Sequence, residues 1–157
     1  MVELLRVDDR LLHGQVAFAW SKSLPINLIV IANDEVSQDK TAKATFALAK
    51  PAGMSLVIST VAKTVEFLRS PKAARYSALV LVNNMADAQS VAFECEGIDA
   101  VNLGGLREHD GSKRYTNAVC LSDEDVKIVR ELVDKGISVF AQQVPADTKT
   151  DMASLIK

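Results

Sequence analysis

The chain opens with the stretch Glu3-Leu4-Leu5-Arg6-Val7-Asp8-Asp9-Arg10-Leu11-Leu12-His13-Gly14-Gln15. Its first part, Glu3–Val7, is a mostly apolar run of the length of a strand, and a charged turn follows it directly. The turn ends at His13-Gly14, and a segment of helical character starts at Gln15. A strand, a turn and a helix in this order form the first half of a βαβ unit, so the stretch predicts an α/β fold.

The same alternation runs along the rest of the chain. Short aliphatic runs with little polar alternation predict strands covered on both faces, at Glu3–Val7, Asn27–Ala32, Met54–Ser59, Ala78–Asn83, Ala100–Leu103, Ala118–Leu121 and Ser138–Ala141. Helices are predicted between most of them, at Gln15–Lys22, Asp39–Ala49, Val61–Arg69, Asp87–Glu94 and Asp123–Lys135.

The last helix has the clearest ends. Ser122 and Asp125 match an N-terminal capping box, and Lys135-Gly136 supplies a basic last turn and a stop. Trp20, on the first predicted helix, is expected to pack in the core. We find no repeat or linker, so we expect a single domain over residues 1–157, with an open, mostly parallel sheet of about seven strands and helices on both faces.

Composition narrows the class of protein. The net charge of −2 argues against a surface for nucleic acid or anionic membranes, which would need a basic excess. Cys95 and Cys120 lie in aliphatic surroundings without CxxC spacing, so we expect buried thiols in a reducing compartment. No apolar run approaches the roughly 20 residues of a membrane span, and the start lacks the layout of a signal peptide. These features predict a soluble, cytoplasmic protein.

His13 is the strongest candidate for chemistry. A structural histidine at a helix start is the simpler interpretation, but imidazole is also a good nucleophile that titrates near neutral pH. Arg10 can bind a phosphate with two hydrogen bonds. Gly14 lets the backbone approach a ligand closely, and Gln15 opens a helix whose free N–H groups favour an anion. These neighbours predict a site that holds a phosphoryl group.

Other polar residues are expected at the same edge of the sheet. Asp8 or Asp9 could orient the imidazole by accepting its second N–H, or one of them could simply neutralise Arg10. Ligands bind outside the carboxyl ends of parallel strands, and polar residues follow those ends at Asn33-Asp34, Asn83-Asn84, Asn102–Arg107 and Gln142–Asp147. Among them, Asn33, Asp34 and Arg107 are predicted to support the site.

The segment Arg6–Val16 resembles the signature of a known family, the IIB components of the mannose/fructose/sorbose branch of the bacterial sugar phosphotransferase system. The resemblance continues in order along the chain, with Ala32-Asn33-Asp34-Glu35-Val36, Lys50-Pro51-Ala52-Gly53, Asn102-Leu103-Gly104-Gly105 and Gln142-Gln143-Val144-Pro145-Ala146-Asp147. It covers essentially the whole chain, and its first motif is highly specific.

The resemblance implies a relay of phosphate. His13 would accept a phosphoryl group from a phosphohistidine of a partner IIA protein and pass it to a sugar held by the membrane components IIC and IID. Arg10 would lie beside the phosphorylated histidine. The resemblance implies no metal or organic cofactor, and it implies a free-standing IIB unit that associates peripherally with the transporter. It leaves open the sugar, the phosphorylated nitrogen and whether the chain forms a homo-oligomer.

Two other functions remain open at this point. One is a regulatory phosphoprotein on the same fold, which controls a partner through phosphorylation of His13. The other is a small-molecule phosphatase or mutase with His13 as nucleophile. His109 lies in a charged loop and is expected to be an ordinary solvated residue, since no ligand spacing supports a metal shared with His13. For Arg107, an active-site or docking role and a solvated loop position are equally favoured.

Overall fold

Residues 1–157 are described by a computed structural model, in which strands and helices alternate along the chain. The strands are β1 (Val2–Asp8), β2 (Leu28–Ala32), β3 (Ser55–Ser59), β4 (Ala78–Val82), β5 (Ala100–Gly105), β6 (Lys113–Arg114), β7 (Cys120–Leu121), β8 (Ser138–Ala141) and β9 (Thr150–Asp151). The helices are α1 (Gly14–Ser23), α2 (Lys40–Ala49), α3 (Val61–Leu68), α4 (Met85–Glu94), α5 (Asp123–Asp134) and α6 (Met152–Leu155), with 3₁₀ turns at Val36–Gln38 and Pro71–Arg75.

A seven-stranded sheet forms the centre of the molecule, in the order β3-β2-β4-β1-β5-β8-β9. All neighbouring strands pair in parallel except β8 and β9, which are antiparallel. Every residue of β2 and β4 is buried, as expected for strands covered on both faces. The prediction of a single α/β domain with about seven mostly parallel strands is confirmed.

One predicted strand, Ala118–Leu121, does not belong to this sheet, so that part of the prediction is wrong. Within Ala118–Leu121, Cys120 and Leu121 pair with β6 in a separate two-stranded antiparallel ribbon, and Val119 forms a single bridge to Leu106. The run is apolar because it is buried in the core, not because it pairs in the sheet. The seventh strand is β9, whose Thr150-Asp151 sequence carries no apolar signal.

Helices cover both faces of the sheet, as predicted. On the first face, α1 and α2 pack on side chains such as Leu4, Ile29, Ile31, Leu79 and Leu81. On the second face, α3, α4, α5 and α6 pack on the side chains that alternate with these, such as Leu5, Leu28, Val30, Val80 and Val82. No helix is both long and apolar enough to span a membrane. Cys95, Cys120 and Trp20 are buried as predicted.

The sheet has a crevice at the carboxyl ends of β1 and β5. These two strands are neighbours, but β1 continues into α1 on the first face, whereas β5 continues through the β6–β7 ribbon to α5 on the second face. When the connections of two neighbouring strands run to opposite faces of the sheet, they leave a crevice between them. Open α/β sheets bind ligands in such a crevice. The Asp8–His13 loop lies at this position.

The capping box of α5 gives the first test. Ser122 Oγ accepts the Asp125 N–H at 3.2 Å, and Asp125 Oδ2 accepts the Ser122 N–H at 3.0 Å. We expect Ser122→Ala to lower the free energy of unfolding by about 1 kcal/mol, because a helix N–H loses its acceptor. Urea unfolding measures this change. Ser23→Ala, at an exposed serine at the end of α1, is the control and should change stability by less than about 0.5 kcal/mol. Equal effects of the two substitutions would contradict the capping role.

Candidate functional site

The loop between β1 and α1 is a tight turn fixed by buried leucines. The Leu11 N–H donates to the Asp8 carbonyl at 2.9 Å, and Leu11 has a φ of 57°, in the left-handed region. That conformation costs on the order of 1–3 kcal/mol in a residue other than glycine. The Leu11 and Leu12 side chains are only 4% and 5% exposed, and burying each one contributes roughly 1.5–3 kcal/mol. Their burial is therefore sufficient to hold the strained turn in place.

His13 is the N-cap residue of α1 and is partly buried. Its carbonyl accepts the Ala17 N–H at 2.8 Å, while its side chain makes no capping hydrogen bond. The Nδ1 atom is buried and has no hydrogen-bond partner. The N–H groups of the first turn, including those of Gly14 and Gln15, precede the first intrahelical hydrogen bond. An imidazole and a set of free N–H donors therefore meet at one helix end, which favours an anion.

Arg10 lies three residues before His13 in the same loop, and its guanidinium is half-exposed. Its N–H donates to Asp8 Oδ1 at 3.0 Å, which fixes the backbone of the turn. Its Nε lies 3.6 Å from the same Oδ1 atom, and the side chain is 42% exposed. The guanidinium is thus loosely held, and it can turn toward an anion while the backbone stays in place.

Beneath Arg10 lies a second arginine, Arg6, which is only 2% exposed. Arg6 donates to Asn102 Oδ1 at 2.7 Å, to the Gln142 carbonyl at 3.2 Å and to Asp8 Oδ2 at 3.2 Å. Burial lowers the pKa of the Arg6 guanidinium, and the Asp8 carboxylate opposes that shift. Trp20 packs against the guanidinium, with its ring centroid 5.7 Å from Cζ, and donates its own Nε1–H to the Gln143 carbonyl at 3.2 Å.

A second ion pair joins the loops that follow β1 and β5. Asp9 Oδ2 accepts the Arg107 N–H at 2.8 Å and lies 3.1 Å from Arg107 Nε. The Asp9 N–H donates to the Gly105 carbonyl at 2.9 Å. The structure thus joins Arg107 to the residue after β1, with its side chain 73% exposed, and its role at the site stays a prediction.

Neither aspartate orients the imidazole. Both Asp8 oxygens face Arg6 and Arg10, and the bonded oxygen of Asp9 faces Arg107. No hydrogen bond joins either carboxylate to His13, so the interpretation in which one of them accepts an N–H from the imidazole is wrong. In the alternative, an aspartate neutralises Arg10; Asp8 does contact Arg10, but loosely, and its closer ion pair is with Arg6. The φ of Gly14 is not positive, and an added Cβ would lie 3.6 Å from the Ala49 carbonyl oxygen, so the backbone conformation itself does not require glycine there. Its predicted role in the close approach of a ligand stays a prediction.

Asn33 and Asp34 make their contacts away from His13. Asn33 Oδ1 accepts the Val36 N–H at 2.9 Å, and Asp34 Oδ1 accepts the Val61 N–H at 2.9 Å at the start of α3. Both follow β2, which β4 separates from β1. Asp34 is instead close enough to Asp87 to contribute to the raised pKa of that carboxyl, whose main cause is burial. The hydrogen bonds of Asn33 and Asp34 are thus made within the loop after β2 and to the start of α3, and their support of the site stays a prediction.

The charge of Arg6 is a further signal in the sequence, one that points to buried partners. Arg6 is a charged residue inside an apolar strand, and a charge at such a position is almost never buried without partners. Of its partners, Asn102 lies within β5 and Gln142 directly follows β8. The spacing of these residues does not reveal that they meet, because only the order of the strands in the sheet brings them together.

His109 is exposed, as expected, but it also makes two hydrogen bonds. Its Nδ1 lies 2.8 Å from the Arg107 carbonyl oxygen, and its Nε2 lies 2.9 Å from Asp125 Oδ2. These contacts join the loop after β5 to the start of α5. They also raise the pKa of His109, with the Arg107 carbonyl as the larger cause and Asp125 as the next. No group of three or more His, Cys, Asp and Glu side chains has a geometry that could hold a metal ion.

Comparison with known proteins assigns the family. Residues 2–157 match the family described as "PTS system sorbose subfamily IIB component". A probable phosphotransferase enzyme IIB component of Streptococcus pyogenes is 35% identical, over 99% of each chain. The mannose-specific EIIAB component of Escherichia coli is 31% identical over 99% of this chain, which spans 48% of that relative. The crystal structure of the IIBSor domain of the Klebsiella pneumoniae sorbose permease superposes with a TM-score of 0.93 at 30% identity, covering 99% of this chain and 96% of that one.

The fold and the crevice at β1 and β5 therefore belong to an α/β domain of the sugar phosphotransferase system. Within that system, the chain belongs to the sorbose subfamily of IIB components. Components of this kind act as phosphotransferases in sugar transport. The family resemblance expected from the Arg6–Val16 segment is confirmed.

The packing of Arg6 over Gly104 provides a test with a built-in control. A Cβ at Gly104 would lie 2.1 Å from Arg6 Cζ, whereas a Cβ at Gly105 would lie 3.5 Å from Asp8 Oδ1, an ordinary contact. We expect Gly104→Ala to lower the free energy of unfolding by roughly 1–3 kcal/mol, because the buried guanidinium must move. Gly105→Ala should have a clearly smaller effect. Chemical denaturation of both variants measures the difference, and equal stabilities would show that Arg6 does not need the space above Gly104.

The contacts of His109 predict a pH dependence of stability. Because its folded pKa is raised above the ordinary value of 6.5, its stabilising contribution is fully present below about pH 6.5 and is lost as pH rises through the folded pKa. We therefore expect His109→Ala to destabilise the protein most at acid pH and progressively less as pH rises. Thermal unfolding of both proteins across pH 5 to 9, a range of about four units around the histidine pKa, measures this. A difference that grows with pH would contradict the assignment.

Proposed function

We propose that His13 is the residue that carries phosphate in this IIB component. The observation that supports this most directly is the placement of His13, which has a buried ring nitrogen without a hydrogen-bond partner and caps α1, where the N–H groups are free. The half-exposed Arg10 precedes it by three residues. A nucleophile, an anion-binding helix end and a cation that can turn toward a phosphoryl group are the parts that such a site needs.

The reaction we propose is a transfer between two histidines. A neutral His13 nitrogen attacks the phosphorus of a phosphohistidine on IIA, so that an N–P bond to His13 forms as the N–P bond to the donor breaks. His13 releases its ring proton and the donor ring takes one up, which keeps charge and protons in balance. Breaking one N–P bond and forming another leaves the step close to energetic balance, and catalysis then comes from alignment and charge neutralisation.

The second step consumes the phosphoryl group. A sugar hydroxyl oxygen attacks the phosphorus, an O–P bond forms and the N–P bond to His13 breaks. The proton that the sugar hydroxyl loses goes to the ring of His13, which returns to neutral imidazole. We propose that this sugar is presented by the membrane components IIC and IID. The protein then works on the cytoplasmic side as a peripheral part of the transporter and needs no metal or organic cofactor.

The charges around His13 fit a transient phosphate. A phosphoryl group carries roughly −1.5 to −2 charges. The Arg6–Asp8 and Arg107–Asp9 pairs each cancel internally, which leaves Arg10 and the roughly +0.5 charge of the α1 N-terminus to face it. Together these supply about +1.5, which offsets most of the phosphate charge without exceeding it. A site of this kind can therefore hold a phosphoryl group and still release it to an acceptor.

The two cysteines are poor alternatives to His13. Both Cys95 and Cys120 are buried, and burial raises the pKa of the Cys95 thiol, which disfavours the nucleophilic thiolate. Cys95 follows α4 at the opposite end of that helix from the carboxyl edge of the sheet. Neither cysteine is a candidate to exchange phosphate with two successive partners.

A phosphorylation assay tests this proposal. Phosphoenolpyruvate, the general phosphotransferase proteins and a cognate IIA should add one acid-labile, base-stable phosphate to the chain. His13→Ala should abolish that label, because the attacking nitrogen is lost. His109→Ala removes the only other histidine and should keep it. Circular dichroism checks that both variants fold. Undiminished label on a folded His13→Ala variant would overturn the assignment.

A further inference from the structure

The carboxylate of Asp8 contacts two arginines, of which one is buried and the other is half-exposed. Its Oδ2 atom accepts from Arg6 at 3.2 Å, and its Oδ1 atom accepts the Arg10 N–H at 3.0 Å and lies 3.6 Å from Arg10 Nε. Asp8 is completely buried and Arg6 nearly so, whereas Arg10 is 42% exposed. One negative charge therefore stands between a fixed cation and a movable one.

Arg6 is held on every side. Asn102 Oδ1 and the Gln142 carbonyl fix its guanidinium from β5 and from the end of β8, and the ring of Trp20 lies over it. It also occupies the space above Gly104 that any larger residue would fill. Because a buried guanidinium has no water to turn to, its pairing with Asp8 persists whatever Arg10 does.

We propose that Arg6 is a positioning residue of the phosphate site: it neutralises Asp8 and so leaves the Arg10 guanidinium free to bind a phosphoryl group on His13. This inference rests on the proposed function and extends it to a residue that does not touch the phosphate. Without Arg6, the buried charge of Asp8 would have Arg10 as its nearest cation. Arg10 would then pair fully with Asp8 and be withdrawn from the phosphate.

The test compares three variants in the full-length chain. Arg6→Met leaves Asp8 charged and should slow phosphoryl transfer from phospho-IIA to His13 by roughly 10²–10³-fold, the scale of losing one charge-stabilising donor. Arg6→Met/Asp8→Asn removes both charges and keeps an oxygen that can accept the Arg10 N–H. It should recover most of the rate, because Arg10 is free again. Arg130→Met removes an arginine that bonds the Ile156 carbonyl outside the site and should leave the rate unchanged.

A second readout follows the phosphate itself. Pairing with a guanidinium lowers the pKa of a phosphoryl group, whose second ionisation otherwise lies near about 6. A ³¹P NMR titration of phosphorylated His13 should therefore give a higher phosphate pKa in Arg6→Met than in the wild type. The double variant should return the pKa toward the wild-type value. A loss of packing alone would not produce this pattern, and thermal unfolding checks that each variant is folded.

The possible outcomes distinguish a failure of this inference from a failure of the proposed function. Equal loss of rate in Arg6→Met and in the double variant, with the wild type labelled on His13, would overturn this inference and leave the proposed function intact. An unchanged rate and an unchanged phosphate pKa in Arg6→Met would also overturn the inference and leave the proposed function intact. Absence of phosphate on His13 in the wild type would overturn both. Arg6 is proposed to act through Arg10, so adding Arg6→Met to Arg10→Gln should not lower the transfer rate further. A further loss of rate in that double variant would contradict the inference.

Discussion

The buried carboxylate of Asp8 is the point on which the site depends. It ends the central strand β1, shapes the turn through the Arg10 N–H, and is neutralised by Arg6 from beneath. A buried carboxylate without such partners would be strongly destabilising. The contacts that satisfy this charge therefore also set the start of the loop that carries His13.

The turn between β1 and α1 combines a strained backbone with buried side chains that stabilise it. The left-handed conformation of Leu11 is unfavourable, and it persists because Leu11 and Leu12 are buried on the first face of the sheet. The same leucines place His13 at the N-terminus of α1. The loop is thus held by the core and not by contacts to a ligand, which lets the site exist before any partner arrives.

The sequence predicted much of this architecture for identifiable reasons. Buried parallel strands are continuous aliphatic runs, so β2, β4 and β8 were recognisable, and the capping box marked the start of α5. Ala118–Leu121 was assigned to the main sheet because burial and strand pairing give the same apolar signal. The β9 strand was missed because two polar residues at an antiparallel edge give none. For the site, His13 and Arg10 stood in a recognisable local pattern, whereas the contacts of Arg6 with Asn102 and Gln142 depend on the order of the strands.

We propose that Arg10 changes partner when His13 is phosphorylated, while Arg6 keeps its contact with Asp8. A structure of the chain phosphorylated on His13 tests it most directly, through the distances from both guanidinium groups to Asp8 and to the phosphoryl oxygens. We expect hydrogen bonds from Arg10 to the phosphoryl oxygens, with the Arg6–Asp8 contact retained. A phosphorylated site in which Arg10 still faces Asp8, or in which Arg6 has left Asp8, would contradict it.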